Sequence, residues 1–220
     1  MYQKIKLSLI IWCFGLKPMI KKLDKDNYKE IMKAFKMHYL AISARTEKTS
    51  GIARFHKMAS VIGLAFYRVL PDYIQDRNEV VDIIHDIIWK PRMSKNVGFI
   101  AFFVRRSKDP FNNFLQFLGP RNEWFFPCPP WDKELVDIGN GVGWKQHECP
   151  YFDFFKEENA LEVTRAYCDF DRKVAAQLPD HVELKREKTL AKGNSYCDFL
   201  YYRKSPHQQT VWSESIRISA

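Results

Sequence analysis

His147-Glu148-Cys149-Pro150 is the stretch whose residue types could do covalent chemistry. Pro150 suits the first position of a helix, where a missing N–H costs nothing. Tyr151 to Glu158 then carries Phe152 and Phe155, followed by Glu157 and Glu158, at helical spacing. Cys149 therefore stands at the mouth of a helix, beside backbone N–H groups that have no partner within it. That setting lowers a thiol's pKa and favours the thiolate. Gly143 to Cys149 reads as a short strand, so His147 and Cys149, two residues apart, share a face. Such a pair offers a nucleophile and a base. The plainer reading is a half-buried cysteine acting as a small apolar side chain.

Two further cysteines are followed by acids, in Cys168-Asp169-Phe170-Asp171 and Cys197-Asp198-Phe199. On a helix, Cys168 and Asp171 are three apart and lie on one side. An acid near a thiol can hold a proton, orient an imidazole or bind an amine. The alternative is a set of solvated acids on helix and strand surfaces. The five cysteines, Cys13, Cys128, Cys149, Cys168 and Cys197, are dispersed and odd in number. No Cys-x-x-Cys occurs, so no metal site is expected and none is assigned; nor is a cofactor. The count fits a reducing cytoplasm better than a disulfide framework. The run Gly139-Asn140-Gly141-Val142-Gly143 does not follow a strand and open a helix, which argues against a dinucleotide or phosphate loop.

The elements that must position these residues follow from apolar periodicity. Helices are expected over residues 26–44, 52–70, 77–89, 96–105 and 111–118, and after Pro150 over 150–158 and 160–178. Strands are expected over residues 143–149, 181–191 and 196–203. Lys192-Gly193-Asn194-Ser195 reads as a hairpin turn between the last two. The fold class is α+β: an N-terminal helical layer packed on a C-terminal antiparallel sheet with inserted helices. Residues 1–25 read as a basic, apolar extension that can be removed without loss of the fold. Residues 26–204 read as one domain, helical over 26–120 and sheet-containing over 121–204, with 205–220 as a tail.

The net charge is +9, and residues 1–50 hold eleven Lys or Arg against four Asp or Glu. Acids are interleaved with these lysines and no nucleic-acid motif accompanies them, so no nucleic-acid partner is expected. The apolar run Leu7–Leu16 is too short to span a bilayer and no cleavage site follows it. The expectation is a cytoplasmic protein with no stable membrane insertion, and with a homo-oligomer left open.

Taken in order, the Cys-Pro helix start, Cys168-Asp169-Phe170-Asp171, and the ending Thr189-Leu190-Ala191-Lys192-Gly193-Asn194-Ser195-Tyr196-Cys197-Asp198-Phe199 resemble the L-2-amino-thiazoline-4-carboxylic acid hydrolase family. Ala65-Phe66-Tyr67-Arg68-Val69-Leu70 is also similar to that family's N-terminal part. The resemblance covers roughly residues 30–204 and is strongest over 143–203, where Thr-Leu-x-x-Gly-x-x-x-Cys-Asp-Phe is the most specific element. It implies a small-molecule substrate and a hydrolase that opens a cyclic amidine or isothiourea, on a route through an N-carbamoyl intermediate. The Gly-x-x-x-Cys ending is similar, too, to 4-vinyl-reductase-type domains, so the alternative is a non-catalytic small-molecule sensor. For the hydrolase, Cys149 is the expected nucleophile, Asp171 the group that holds the amidinium and relays a proton, and His147 the candidate base. Cys168, Cys197, Asp198 and His56 are placed with the substrate-binding residues, and Arg165 is the candidate partner of the substrate carboxylate.

Overall fold

Apolar residues at three- and four-residue steps fold the first part of the chain into helices. In a computed structural model, which describes residues 15–47, 49–89 and 93–204, these are α1 (Leu16–Leu23), α2 (Tyr28–Arg45), α3 (Gly51–Val69), α4 (Arg77–Trp89), α5 (Met93–Arg105) and α6 (Pro110–Phe117). Pro71 sits in a 3-10 turn that ends α3, because it lacks the N–H that a further helical turn needs. The Asp109 side chain accepts from the Asn112 backbone N–H at 3.1 Å and so caps α6, whose first residue is Pro110.

Four strands follow with helices between them: β1 (Lys133–Val136), β2 (Gly141–Gln146), α7 (Pro150–Glu157), α8 (Thr164–Ala175), β3 (Val182–Lys185) and β4 (Cys197–Arg203). The sheet is antiparallel throughout, in the order β1-β2-β4-β3. The fold is α+β, with N-terminal helices followed by a four-stranded antiparallel sheet and interspersed helices.

The chain forms two compact units. One comprises the described residues up to Asn96 together with Pro150–Phe170. Its core joins Phe35, Ile62, Phe66, Leu70, Ile84, Phe155 and Tyr167, and Phe35 stacks on Phe66 at 4.2 Å between ring centroids. Leu16 and Ile20 of α1 are fully buried in this core, so it draws on residues ahead of Asp26. The other unit comprises Val97–Cys149 and the described residues from Asp171. Its sheet buries Trp144 on β2 against Phe199 and Tyr201 on β4, at 5.7 and 5.5 Å.

Several local expectations are corrected. β2 ends at Gln146, so His147 and Cys149 do not lie on a strand and the shared-face argument lapses. The helix expected over 160–178 is a 3-10 turn, Leu161–Val163, followed by α8. β3 ends at Lys185 and pairs through to Leu200, so residues 186–196 form a long loop rather than a hairpin turn. Within it, Leu190–Lys192 is a 3-10 turn that Gly193 closes at φ 83°, a left-handed conformation that glycine adopts without strain. The apolar run through Phe14, Cys13 and the tail from Ser205 lie outside the described residues.

Candidate functional site

The sheet of the second unit supplies the most chemically specific cluster. Alternation along β4 turns Cys197, Phe199 and Tyr201 to the buried side. The register places Gln146 opposite Cys197 and Trp144 opposite Phe199, and Gln146 and Trp144 are buried as well. Against this wall lies Arg186, whose guanidinium sits 4.1 Å from the centre of the Phe199 ring. Its Nη1 donates to Asp171 Oδ2 at 2.7 Å, and the two side chains are only 4% and 20% exposed. Arg172 Nη2 donates to the Arg186 carbonyl at 2.6 Å, so the end of α8 holds both the side chain and the backbone of this arginine. Burial pushes the Tyr201 phenol well above its ordinary pKa; the Asp171 carboxylate adds to that shift and Arg186 opposes it. The cluster is a near-buried ion pair set against stacked aromatic rings.

The Thr-Leu-x-x-Gly-x-x-x-Cys-Asp-Phe stretch builds the loop that begins at Arg186. Cys197 Sγ accepts from the Leu190 N–H at 3.3 Å. Asn194 Oδ1 accepts from the Thr189 N–H at 3.1 Å. The Asp198 carboxylate accepts from the backbone N–H groups of Glu187 and Lys188, the shorter bonds being 3.0 and 2.7 Å. Asp198 therefore lies on the half-exposed face of β4 and fastens the loop.

Cys149 is buried and immediately precedes Pro150, the first residue of α7. His147 is exposed, and its Nε2 lies 3.2 Å from Glu134 Oε2 on β1. The His147 and Lys145 hydrogen bonds hold the Glu134 carboxyl below its usual range. His147 also packs near Tyr196, 5.9 Å between ring centroids.

In the first unit, Cys168 is half-buried on α8. Arg165, on the same helix, is exposed; its Nη2 donates to Asp82 Oδ1 at 2.9 Å and to the Asn78 carbonyl at 3.1 Å. His56 is buried on α3, with Nδ1 2.7 Å from the Tyr151 hydroxyl. Tyr151 stacks on Tyr167 at 4.5 Å, and the Tyr167 hydroxyl donates to the Ala59 carbonyl at 2.6 Å. Burial raises the Tyr167 phenol well above its ordinary pKa.

Thus the second unit pairs Asp171 with Arg186 over the Phe199 ring, and Cys197 lies on the same buried face of β4 as that ring. His147 pairs with Glu134, and Arg165 with Asp82. Arg186, Trp144, Gln146 and Glu134 were not singled out from sequence. A lone arginine reads as exposed, whereas here Arg186 is paired with Asp171, fifteen residues away in the chain, and lies over the Phe199 ring. Among the described residues no three His, Cys, Asp or Glu side chains converge as a metal cluster, and no helix is long and apolar enough to cross a membrane.

A comparison with curated proteins found no match. The family model for L-2-amino-thiazoline-4-carboxylic acid hydrolase matches residues 54–201, a span that includes Cys149, Cys168, Asp171, Arg186 and Cys197. With well over half of its length inside that match, the chain belongs to the L-2-amino-thiazoline-4-carboxylic acid hydrolase family.

Proposed function

We propose that the protein opens the ring of 2-amino-thiazoline-4-carboxylate, or of a closely related cyclic isothiourea, by adding water at C2. Family membership carries this reading, because the match covers in one span all the residues it uses for chemistry. C2 is bonded to two nitrogens and a sulfur and is an amidine-like electrophile. Cys149 is the proposed nucleophile. Its sulfur adds to C2, the ring C2–S bond breaks, and the thiol proton ends on the departing sulfur. Water then adds to the same carbon and Cys149 leaves. One water proton returns to its sulfur, the other goes to nitrogen, and the oxygen becomes the carbonyl of the carbamoyl product.

Asp171 is proposed to accept the N–H groups of the amidinium and to relay protons, with Arg186 as the positioning residue that fixes its carboxylate. The place of Cys149 immediately ahead of α7 supports its role, since backbone N–H groups at a helix start favour a thiolate. His147, oriented through Nε2 by Glu134, is the proposed base. Cys197 is proposed to shape the substrate's surroundings, and Asp198 to hold the loop that carries Arg186. Arg165, which is engaged by Asp82, is assigned no role in the chemistry.

Steady-state hydrolysis of 2-amino-thiazoline-4-carboxylate by the wild type and by Cys149→Ser, Cys168→Ser and Asp171→Asn tests these roles. Cys149→Ser is expected to lose roughly three or more orders of magnitude in rate, Cys168→Ser much less, and Asp171→Asn an intermediate amount. A Cys149→Ser protein that keeps most of the wild-type rate removes the nucleophile assignment. Tight binding of the substrate without turnover by the wild type favours a sensor module instead.

A further inference from the structure

Between residues 97 and 104 helix α5 is apolar all round, and only half of this stretch is covered. Val97, Ala101 and Val104 are buried, whereas Phe99 and Phe103 are 66% and 57% exposed, with Ile100 and Phe102 exposed between them. A helix that is apolar on every side is normally enclosed, so the outward half calls for a partner. The exposed rings form one cluster: Phe99 and Phe103 lie 4.9 Å apart and Phe102 and Phe103 5.4 Å apart, both edge to face.

Charge identifies the partner. From Lys90 to Lys108 the sequence has Lys90, Arg92, Lys95, Arg105, Arg106 and Lys108 and no acid. Lys95, Phe99, Phe102 or Phe103, and Arg106 recur at three- and four-residue steps, so a cation stands at each end of the aromatic stripe. Arg106 lies 3.5 Å from the centre of the Phe102 ring and donates to the Phe102 carbonyl, which keeps its charge beside the rings. A second copy docked isologously would bring cation against cation at one end or the other, because a two-fold contact pairs the same patch with itself. An anionic lipid surface instead takes phenylalanine side chains at the boundary of headgroups and acyl chains, with basic residues among the phosphates.

We propose that the exposed face of α5 seats the protein on an anionic membrane surface, lying in the interface without crossing the bilayer.

The test uses the full chain with large unilamellar vesicles of pure phosphatidylcholine or of phosphatidylcholine with phosphatidylglycerol, read by co-sedimentation at low and high salt. The expected result is binding to the phosphatidylglycerol vesicles only, weakened by salt. Phe99→Ser with Phe103→Ser, and separately Lys95→Glu with Arg106→Glu, should each lower the partition coefficient about tenfold or more. These side chains are exposed, and unchanged melting curves should show that the variants fold. No binding by the wild type overturns the proposal. Binding that both double variants retain also overturns it and moves the contact to another segment, such as the basic amino-terminal residues. A wild-type dimer that Phe99→Ser with Phe103→Ser makes monomeric overturns it in favour of self-association.

Discussion

Replacing Arg186 with Met removes the cation from the pair that organises the second unit. The side chain is 4% exposed and its partner Asp171 20% exposed, so the substitution takes the guanidinium away from a carboxylate that is four-fifths buried. Breaking a buried pair from one side costs about 3–5 kcal/mol. The residual exposure of Asp171 lowers that figure. Loss of the guanidinium from the Phe199 ring raises it by up to about 1 kcal/mol, of which the methionine sulfur recovers part. The expected net loss is about 3 kcal/mol, which for a chain of this length lowers the melting temperature by roughly 6–12 °C. Arg186→Met combined with Asp171→Leu should return stability to within about 1 kcal/mol of wild type, because no charge is then left buried alone. Urea titration followed by tryptophan fluorescence reads the effect as a shift in midpoint at constant slope. A single variant that loses less than about 1 kcal/mol, or a double variant that loses the sum of two large single effects, refutes the reasoning.

Three other outcomes are expected. Gly63→Ala should destabilise the first unit by about 1–3 kcal/mol, because its new methyl would press on the Tyr167 hydroxyl and lie 3.2 Å from Cζ; Tyr167→Phe in the same chain should recover part of the loss, as thermal melts of the single and double variants will show. Asp109 is held at about 2 by Arg203 and the Asn112 N–H, so its contribution is complete above the ordinary value of 3.8 and disappears as the pH falls toward 2; the difference in melting temperature between wild type and Asp109→Asn should shrink across that window. Deleting residues 1–24 removes the fully buried Leu16 and Ile20 and, contrary to the expectation from sequence, should destabilise the first unit by about 3–6 kcal/mol, visible as a lower urea midpoint.

Much of the helical part was legible because its apolar stripes are long: α4 runs from Arg77 to Trp89, as its periodicity predicts. Pro150 likewise marked the start of α7. β1 escaped notice because Lys133-Glu134-Leu135-Val136 lacks a buried alternation, and Leu135 is 76% exposed on an edge strand. Lys192-Gly193-Asn194-Ser195 imitates a hairpin turn. The conformation that its glycine permits closes a 3-10 turn instead, and the Asp198 and Cys197 side chains pin the loop through backbone N–H groups that periodicity does not reveal. The candidate site was half legible. The Cys-acid pairs drew attention to Asp171 and Cys197. The arginine that binds Asp171, and the pairing of His147 with Glu134, depend on contacts between distant parts of the chain.

The proposed function stands on ring opening of a thiazoline carboxylate through Cys149. Mass spectrometry of the wild type and Cys149→Ser incubated with 2-amino-thiazoline-4-carboxylate tests it most directly. The wild type should convert substrate into a carbamoyl product heavier by one water, with release of a new thiol, and the serine variant, although folded, should yield no product above the uncatalysed background. Equal product from both proteins, or substrate recovered intact from a wild type that binds it, would contradict it.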